Sequence, residues 1–259
     1  MDTTYWHKQT KDKLLFPGLL WSRPENRLHA GKLLIIGGNG YEFKAAANAY
    51  GDALAAGIGT AKVILPASMQ KTVGKIFPEA EFAPYTPSGS FARTSLASML
   101  DAADWADGVL LAGDLGRNSE TAVVIEQFLQ KHEGRVTLVN DAVEYCLNTP
   151  EGCLDRPETT VVMDIAQLQK LATGAAHTPA FVSSMDFVPF IENLHDFSLK
   201  TACNMVVHHA DHLTVACGGK ISTTPGNEPD ATDIAARASV WWLQNPAQPF
   251  AALTTSLKA

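Results

Sequence analysis

This chain has no basic run. It carries 20 Lys and Arg against 27 Asp and Glu, a formal net charge of -7, which argues against a nucleic-acid surface. Long apolar runs are absent too: none approaches the roughly 18 residues that a membrane span needs. The first residues, Met1 to Lys13, are polar and mixed in charge and do not read as a signal peptide. Cysteine is scarce. Cys146, Cys153, Cys203 and Cys217 lack C-x-x-C spacing, so all four are expected to be reduced thiols in a cytoplasmic protein. Neither G-x-G-x-x-G nor G-x-x-x-x-G-K-[ST] occurs at the glycine-rich turn, so neither nucleotide fingerprint applies there. Charged residues make up only 18% against 46% hydrophobic, the balance of a packed soluble globule. We expect one α/β domain over residues 1–259, with 1–30 as an irregular or helical lead-in broken at Pro17-Gly18 and Arg23-Pro24.

The most informative stretch is Lys32-Leu-Leu-Ile-Ile-Gly-Gly-Asn-Gly40, followed by an alanine-rich run from Lys44 to Ala56. An unbroken apolar run ending in Gly-Gly predicts a parallel strand covered on both faces. Its turn opens on a helix N-terminus, where free amides and the dipole favour an anion or polar ligand. The alanines allow another backbone to approach closely. Further strands are predicted at Ala61–Leu65, Gly108–Ala112, Val136–Val139 and Val161–Met163, and a pair at Met205–Val207 and Leu213–Ala216. Helices are predicted at Ser68–Phe77, Ser95–Trp105, Asn118–Lys131, Asp230–Leu243 and Pro249–Leu257. Another starts at Asp164, with Gln167 completing a capping box, and Ser184–Leu199 is partly helical. Pro84–Ser90 reads as a loop. Alternation of this kind predicts a mostly parallel sheet with helices on both faces. Ligands then sit at the carboxyl ends of the strands: Gly37–Gly40, Gly113–Arg117, Asn140-Asp141 and His208–His212.

In this order, the turns resemble those of the ribokinase-like ADP/ATP-dependent NAD(P)H-hydrate dehydratases, from about residue 19 to the C-terminus. Leu19-Leu-Trp-Ser-Arg-Pro and His29 to Gly38 are similar to that family's opening. Ala53-Leu-Ala-Ala-Gly-Ile-Gly59 resembles its Ala-rich helix and Gly-x-Gly exit, and Leu111-Ala-Gly-Asp-Leu-Gly-Arg117 its "GPGLGR" turn. Val136 to Ala142 resembles the strand leading to its "DADA" turn. Thr232-Asp233-Ile-Ala-Ala through Ala252 resembles the helix that begins with "GTGD". The resemblance implies a ribokinase-like α/β fold. It also implies an enzyme that uses ADP or ATP with Mg2+ to phosphorylate the hydroxyl of hydrated NAD(P)H, after which phosphate loss regenerates NAD(P)H. It places the catalytic base at Asp233, nucleotide contacts at Thr232 and at His208, His209, Ala210, Asp211 and His212, and substrate contacts at Ala45, Gly116, Asp164 and Asp233. No dedicated metal site is implied.

The chain departs from the family pattern at several of these positions. Asp230-Ala-Thr232 stands where the family has Gly-Thr-Gly, His208-His209 where it has Lys-Gly, Val162 to Gln167 where it has "TPHxxE", and Ala112-Gly-Asp114 where it has Gly-Pro-Gly. These losses motivate a second reading, a catalytically silent relative that serves as a binding or assembly module. A third is a small-molecule kinase of the same superfamily.

From the residues alone, Asp233 is also explained as an acid favoured by the helix dipole, and Asp230 as the N-cap of the same helix. The His208–His212 cluster reads as a metal site, a phosphate contact or a solvated turn. Arg117 reads as a phosphate clamp or a surface residue, and Asp141 as a partner of hydrated magnesium or a turn carboxylate. Trp241 and Trp242 point roughly 100° apart on a helix, toward a core or a subunit contact. With the Ala-rich helix they are compatible with a homo-oligomer.

Overall fold

The computed structural model describes residues 4–10, 12–226 and 230–258. Ten strands form one sheet: β1 (Trp6–Lys8), β2 (Lys32–Gly37), β3 (Thr60–Pro66), β4 (Ala80–Ala83), β5 (Gly108–Gly113), β6 (Arg135–Leu138), β7 (Thr159–Asp164), β8 (Asn204–His209), β9 (His212–Cys217) and β10 (Lys220–Pro225). Their spatial order is β1-β10-β9-β8-β7-β6-β5-β2-β3-β4. All run one way except β9, which pairs antiparallel with both β8 and β10. The helices are α1 (Gly18–Trp21), α2 (Lys44–Ala55), α3 (Gln70–Val73), α4 (Ser95–Trp105), α5 (Ser119–Lys131), α6 (Asp141–Glu144), α7 (Glu151–Leu154), α8 (Ile165–Gly174), α9 (Phe187–Ser198), α10 (Ala231–Gln244) and α11 (Pro249–Ser256). The fold is the expected mostly parallel α/β sheet.

The period of two along a strand divides the core between the faces. Leu34 and Ile36 of β2 pack with Met99, Phe128, Leu168 and Phe190, under α4, α5, α8 and α9. Leu33 and Ile35 pack on the other face, with Ala46, Ala49, Ala53, Ala235, Ala238 and Leu253 of α2, α10 and α11. All four β2 side chains are fully buried, which is why this strand reads as a continuous apolar run. The small side chains facing each other let α2 and α10 lie close together.

The strand order reverses at β2. The chain builds β3 and β4 on one side of it and then crosses to place β5 on the other. The crevice at the carboxyl ends of β2 and β5 is therefore the switch point at which α/β sheets bind ligands. The two backbones meet there: a Cβ on Gly37 would lie 2.7 Å from the Gly113 carbonyl oxygen, and Gly38 N–H donates to that same oxygen at 2.9 Å.

The structure corrects several expectations. β1 lies inside the stretch read as a lead-in, and β4 and β10 add strands that the pattern did not announce. The helix expected over Ser68–Phe77 is a 3-10 turn at Ala67–Met69 followed by the short α3. Cys146 and Cys153 form a disulfide, so only Cys203 and Cys217 are free thiols, and both are buried. Trp241 and Trp242 are 1% and 3% exposed within the single chain. They and the alanines of α2 serve the internal core, so neither supplies an assembly surface. Among the described residues no helix is long and apolar enough to cross a membrane.

Candidate functional site

A cavity of about 410 Å3 opens at the switch point, lined by Glu42, Lys44, Ala45, Asn48, Asp114, Asn140, Asp141, Asp230 and Thr232. Four carboxylates face one ammonium across this lining. Each wall comes from a turn that leaves a carboxyl strand end or opens a helix.

The β5 turn supplies Asp114, which sits in the left-handed region at φ 57°. Its Oδ2 accepts from the Ala45 N–H at 2.7 Å, capping α2, whose own preceding residue Phe43 makes no side-chain cap. Asn39 holds the turn by donating from Nδ2 to the Asp114 carbonyl at 2.7 Å. The β6 turn supplies Asn140, also left-handed at φ 56°, a conformation that Asn tolerates better than most residues. Asn140 Nδ2 donates to the Ala112 carbonyl at 2.9 Å and to Thr232 Oγ1 at 3.0 Å. Gln167 Nε2 donates to the Asn140 carbonyl at 2.9 Å, tying the start of α8 to the same turn.

Asp141 is the most constrained acid. Its Oδ2 accepts from the Leu115 N–H at 2.9 Å, while Oδ1 is buried with no protein partner. Burial pushes this carboxyl above the usual range. The backbone N–H groups of Leu115 and Gly116 pull it back, and the charge of Asp114 pushes it up again. Tyr145, one helical turn on, donates its hydroxyl to the Gly116 carbonyl. Burial is the main cause that pushes its phenol up to about 12, with the charge of Asp141 adding to it.

The N-terminus of α10 forms the facing wall. Asp230 is its N-cap, and Oδ1 accepts from the Thr232 N–H at 2.8 Å. Asp233 lies three residues on and turns away. Its carboxylate pairs with Arg237 at 2.7 Å, and it is not among the residues that line the cavity. The acid that α10 presents to the cavity is Asp230, so the expectation that placed the base at Asp233 is corrected on geometry.

Of the other expected site residues, Ala45 and Thr232 line the cavity. Gly116 shapes its floor without lining it: φ is +74°, and a Cβ there would meet Ser90 Oγ at 2.8 Å. Asp164 caps α8, accepting from the Gln167 N–H at 2.7 Å in a complete capping box, and lies outside the lining. The stretch His208–His212 forms the β8–β9 hairpin, with Ala210 and Asp211 at its left-handed tip. His209 Nε2 lies 2.8 Å from the Met185 carbonyl and its ring meets Phe190. His212 Nδ1 lies 2.8 Å from the Ala210 carbonyl and its ring meets Phe187. These four (His208 with them lies in β8) are not among the residues lining this cavity, because β6 and β7 separate their hairpin from β5. Among the described residues no group of three His, Cys, Asp or Glu side chains converges to hold a metal ion.

Glu42, Lys44, Asn48 and the bonding role of Asn140 went unforeseen in the sequence. The signal for Asn140 was present, an Asn at a strand end, where left-handed backbone is common for that residue. The others belong to the first turns of α2, where polar residues have many explanations.

No protein-family model matches the chain, and no curated protein matches it in sequence. Solved structures match it in fold. A ribokinase-like superfamily protein from Enterococcus faecalis aligns over 100% of this chain and 87% of its own, with a TM-score of 0.70 at 15% identity. A hypothetical protein from Streptococcus mutans covers 91% of this chain and 82% of its own, with a TM-score of 0.64 at 16% identity. An ADP/ATP-dependent NAD(P)H-hydrate dehydratase from Bacillus subtilis, co-crystallised with ATP and Mg2+, covers 90% and 79%, with a TM-score of 0.60 at 12% identity. Identities this low establish the ribokinase-like fold and nothing finer.

Proposed function

We propose that the chain is an enzyme that transfers a phosphoryl group from ATP or ADP to the hydroxyl of a small molecule in the switch-point cavity, and that its substrate is hydrated NAD(P)H. One observation carries the reading. The first turn of α10 is locked by the Asn140–Thr232 hydrogen bond and brings the Asp230 carboxylate to a cavity that also receives the N-terminus of α2. A hydroxyl held there is close to a carboxylate that can take its proton. The hydroxyl oxygen attacks the terminal phosphorus, and the bond from phosphorus to the departing nucleotide breaks. Loss of phosphate from the substrate then regenerates NAD(P)H. We assign to Asp230 the role that sequence resemblance gives Asp233, and a contact with the substrate to Ala45 and Thr232. A nucleotide co-substrate suits a cytoplasmic site of action.

The donor set fits a hydrated magnesium ion that arrives with the nucleotide. Asp141 keeps a buried oxygen without a protein partner, and Asp114 and Asp230 share its cavity. Hard carboxylate oxygens acting through water suit Mg2+. Bound there, the ion would offset the charge of the phosphates. Lys44 is the single cation in the lining and falls short of that task.

A second reading has its own observation. The N-termini of α2, α8 and α10 are each already capped by a carboxylate, from Asp114, Asp164 and Asp230. Amides that could hold a phosphate are thus engaged, as a silent relative with a binding role would allow. Incubating the protein with hydrated NADH, ATP or ADP, and magnesium decides between them. Nucleotide-dependent recovery of NADH supports the enzyme. A stable phosphate ester supports a kinase, and no turnover under either nucleotide supports the silent relative.

A further inference from the structure

We propose that a second cavity, at the amino-terminal ends of β7 and β8, binds an amphoteric small molecule that carries an ammonium group at one end and a carboxylate at the other. The cavity measures about 240 Å3, and Glu151, Leu154, Asp155, His177, Phe197 and Lys200 contribute to its walls. The α7 helix and Asp155 immediately precede β7, and Lys200 immediately precedes β8. The site therefore lies at the opposite end of the sheet from the switch-point cavity, shares no lining residue with it, and does not depend on the function proposed above.

His177 points to the ligand's chemistry. It is 8% exposed, its ring stacks on Phe181 and tilts against Phe197, and its Nε2 lies 2.8 Å from Asn193 Oδ1. Asn193 donates from Nδ2 to the Pro179 carbonyl at 3.0 Å, which fixes its amide and makes Oδ1 the acceptor. Nε2 of His177 therefore carries the proton. In the neutral ring Nδ1 is then a lone-pair acceptor. It is buried, and no protein donor reaches it. A ligand that satisfies it must bring an N–H or O–H.

The charges complete the match. Glu151 and Asp155 sit on one wall and Lys200 on another. None of them takes part in an ion pair among the described residues. A plain anion would meet two carboxylates, and a plain cation would meet Lys200. A molecule with both groups lets its ammonium face His177 Nδ1 and the acids while its carboxylate faces Lys200. Leu154 and Phe197 offer an apolar wall to the segment between them.

Calorimetric titration of the full chain with 6-aminohexanoate, hexanoate and hexylamine tests this. The amphoteric probe should bind about tenfold more tightly than either singly charged one. Lys200→Met should reduce it to the level of hexylamine, and Asp155→Asn to that of hexanoate. Both positions are exposed, and unchanged circular dichroism confirms that the variants fold. The 15N resonance of His177 Nδ1 should move from the value of a free lone pair toward that of a hydrogen-bonded one on saturation. Equal affinity for the three probes, no binding at millimolar concentration, indifference to both substitutions, or an unmoved Nδ1 resonance would each overturn the proposal.

Discussion

Asn140 and Thr232 are 92 residues apart in sequence, yet Asn140 Nδ2 donates to Thr232 Oγ1 at 3.0 Å. The same amide nitrogen holds the Ala112 carbonyl at the end of β5. One side chain thus joins two adjacent strand ends to the first turn of α10 and sets where Asp230 stands.

That side chain should be costly to remove. Replacing Asn140 by Ala leaves partly buried groups unpaired, worth about 1–3 kcal/mol, and puts a Cβ residue without a local hydrogen bond at φ 56°. Asn140→Gly loses the same bonds but suits the backbone, so it should recover about 1 kcal/mol of that loss. Urea denaturation of the three proteins measures both differences.

Asp141 makes a specific pH dependence. Its carboxyl is raised in the folded state, first by burial, so the folded protein holds that proton to a higher pH than the unfolded chain does. Its contribution to stability is therefore fully present below the unfolded value, about 3.9. It falls as the pH rises through the higher folded value, because the folded state binds more protons in that window. Asp141→Asn should flatten this part of the stability curve and be no less stable than the parent at neutral pH. Denaturation midpoints across a pH series test the sign. A parent protein whose stability rises steadily with pH relative to the variant would contradict it.

The cysteines predict a labelling pattern. Burial pushes the Cys203 thiol up to about 12 and raises Cys217 as well, so neither presents a thiolate near neutral pH. Intact protein treated with an alkylating agent should take up no label. Denatured but unreduced protein should be labelled only at Cys203 and Cys217, and denatured, reduced protein at Cys146 and Cys153 as well. Peptide mass spectrometry locates the labels. Label on Cys146 or Cys153 without reductant would contradict the disulfide.

The parallel centre of the sheet was legible because its physics is local. An apolar run and a Gly-Gly turn identify β2, and the alanines identify the close-packed α2. The outer strands were not. β1 has three residues and exists through pairing with β10, more than 200 residues later. β10 itself is rich in Ser and Thr, whose burial depends on partners the local pattern does not name. The cysteines follow no motif spacing, so their pairing emerged only with the turn between α6 and α7. At the site, Asp230 and Asp233 both read as acids at one helix start. Which of them meets the cavity depends on where α2 and the β6 turn pack, and on Arg237 being one turn along to draw Asp233 aside.

The most direct test of the central claim is a paired turnover assay on Asp230→Asn and Asp233→Asn, with hydrated NADH, ATP or ADP, and magnesium. Asp233→Asn should cost only the exposed pair with Arg237, about 0.3–0.5 kcal/mol of stability, and leave turnover within a few-fold of the parent. Asp230→Asn should fold and lose turnover by about 10²-fold or more, the scale of a removed general base. Loss of turnover in Asp233→Asn with full activity in Asp230→Asn would contradict the account, as would a parent protein that turns over nothing.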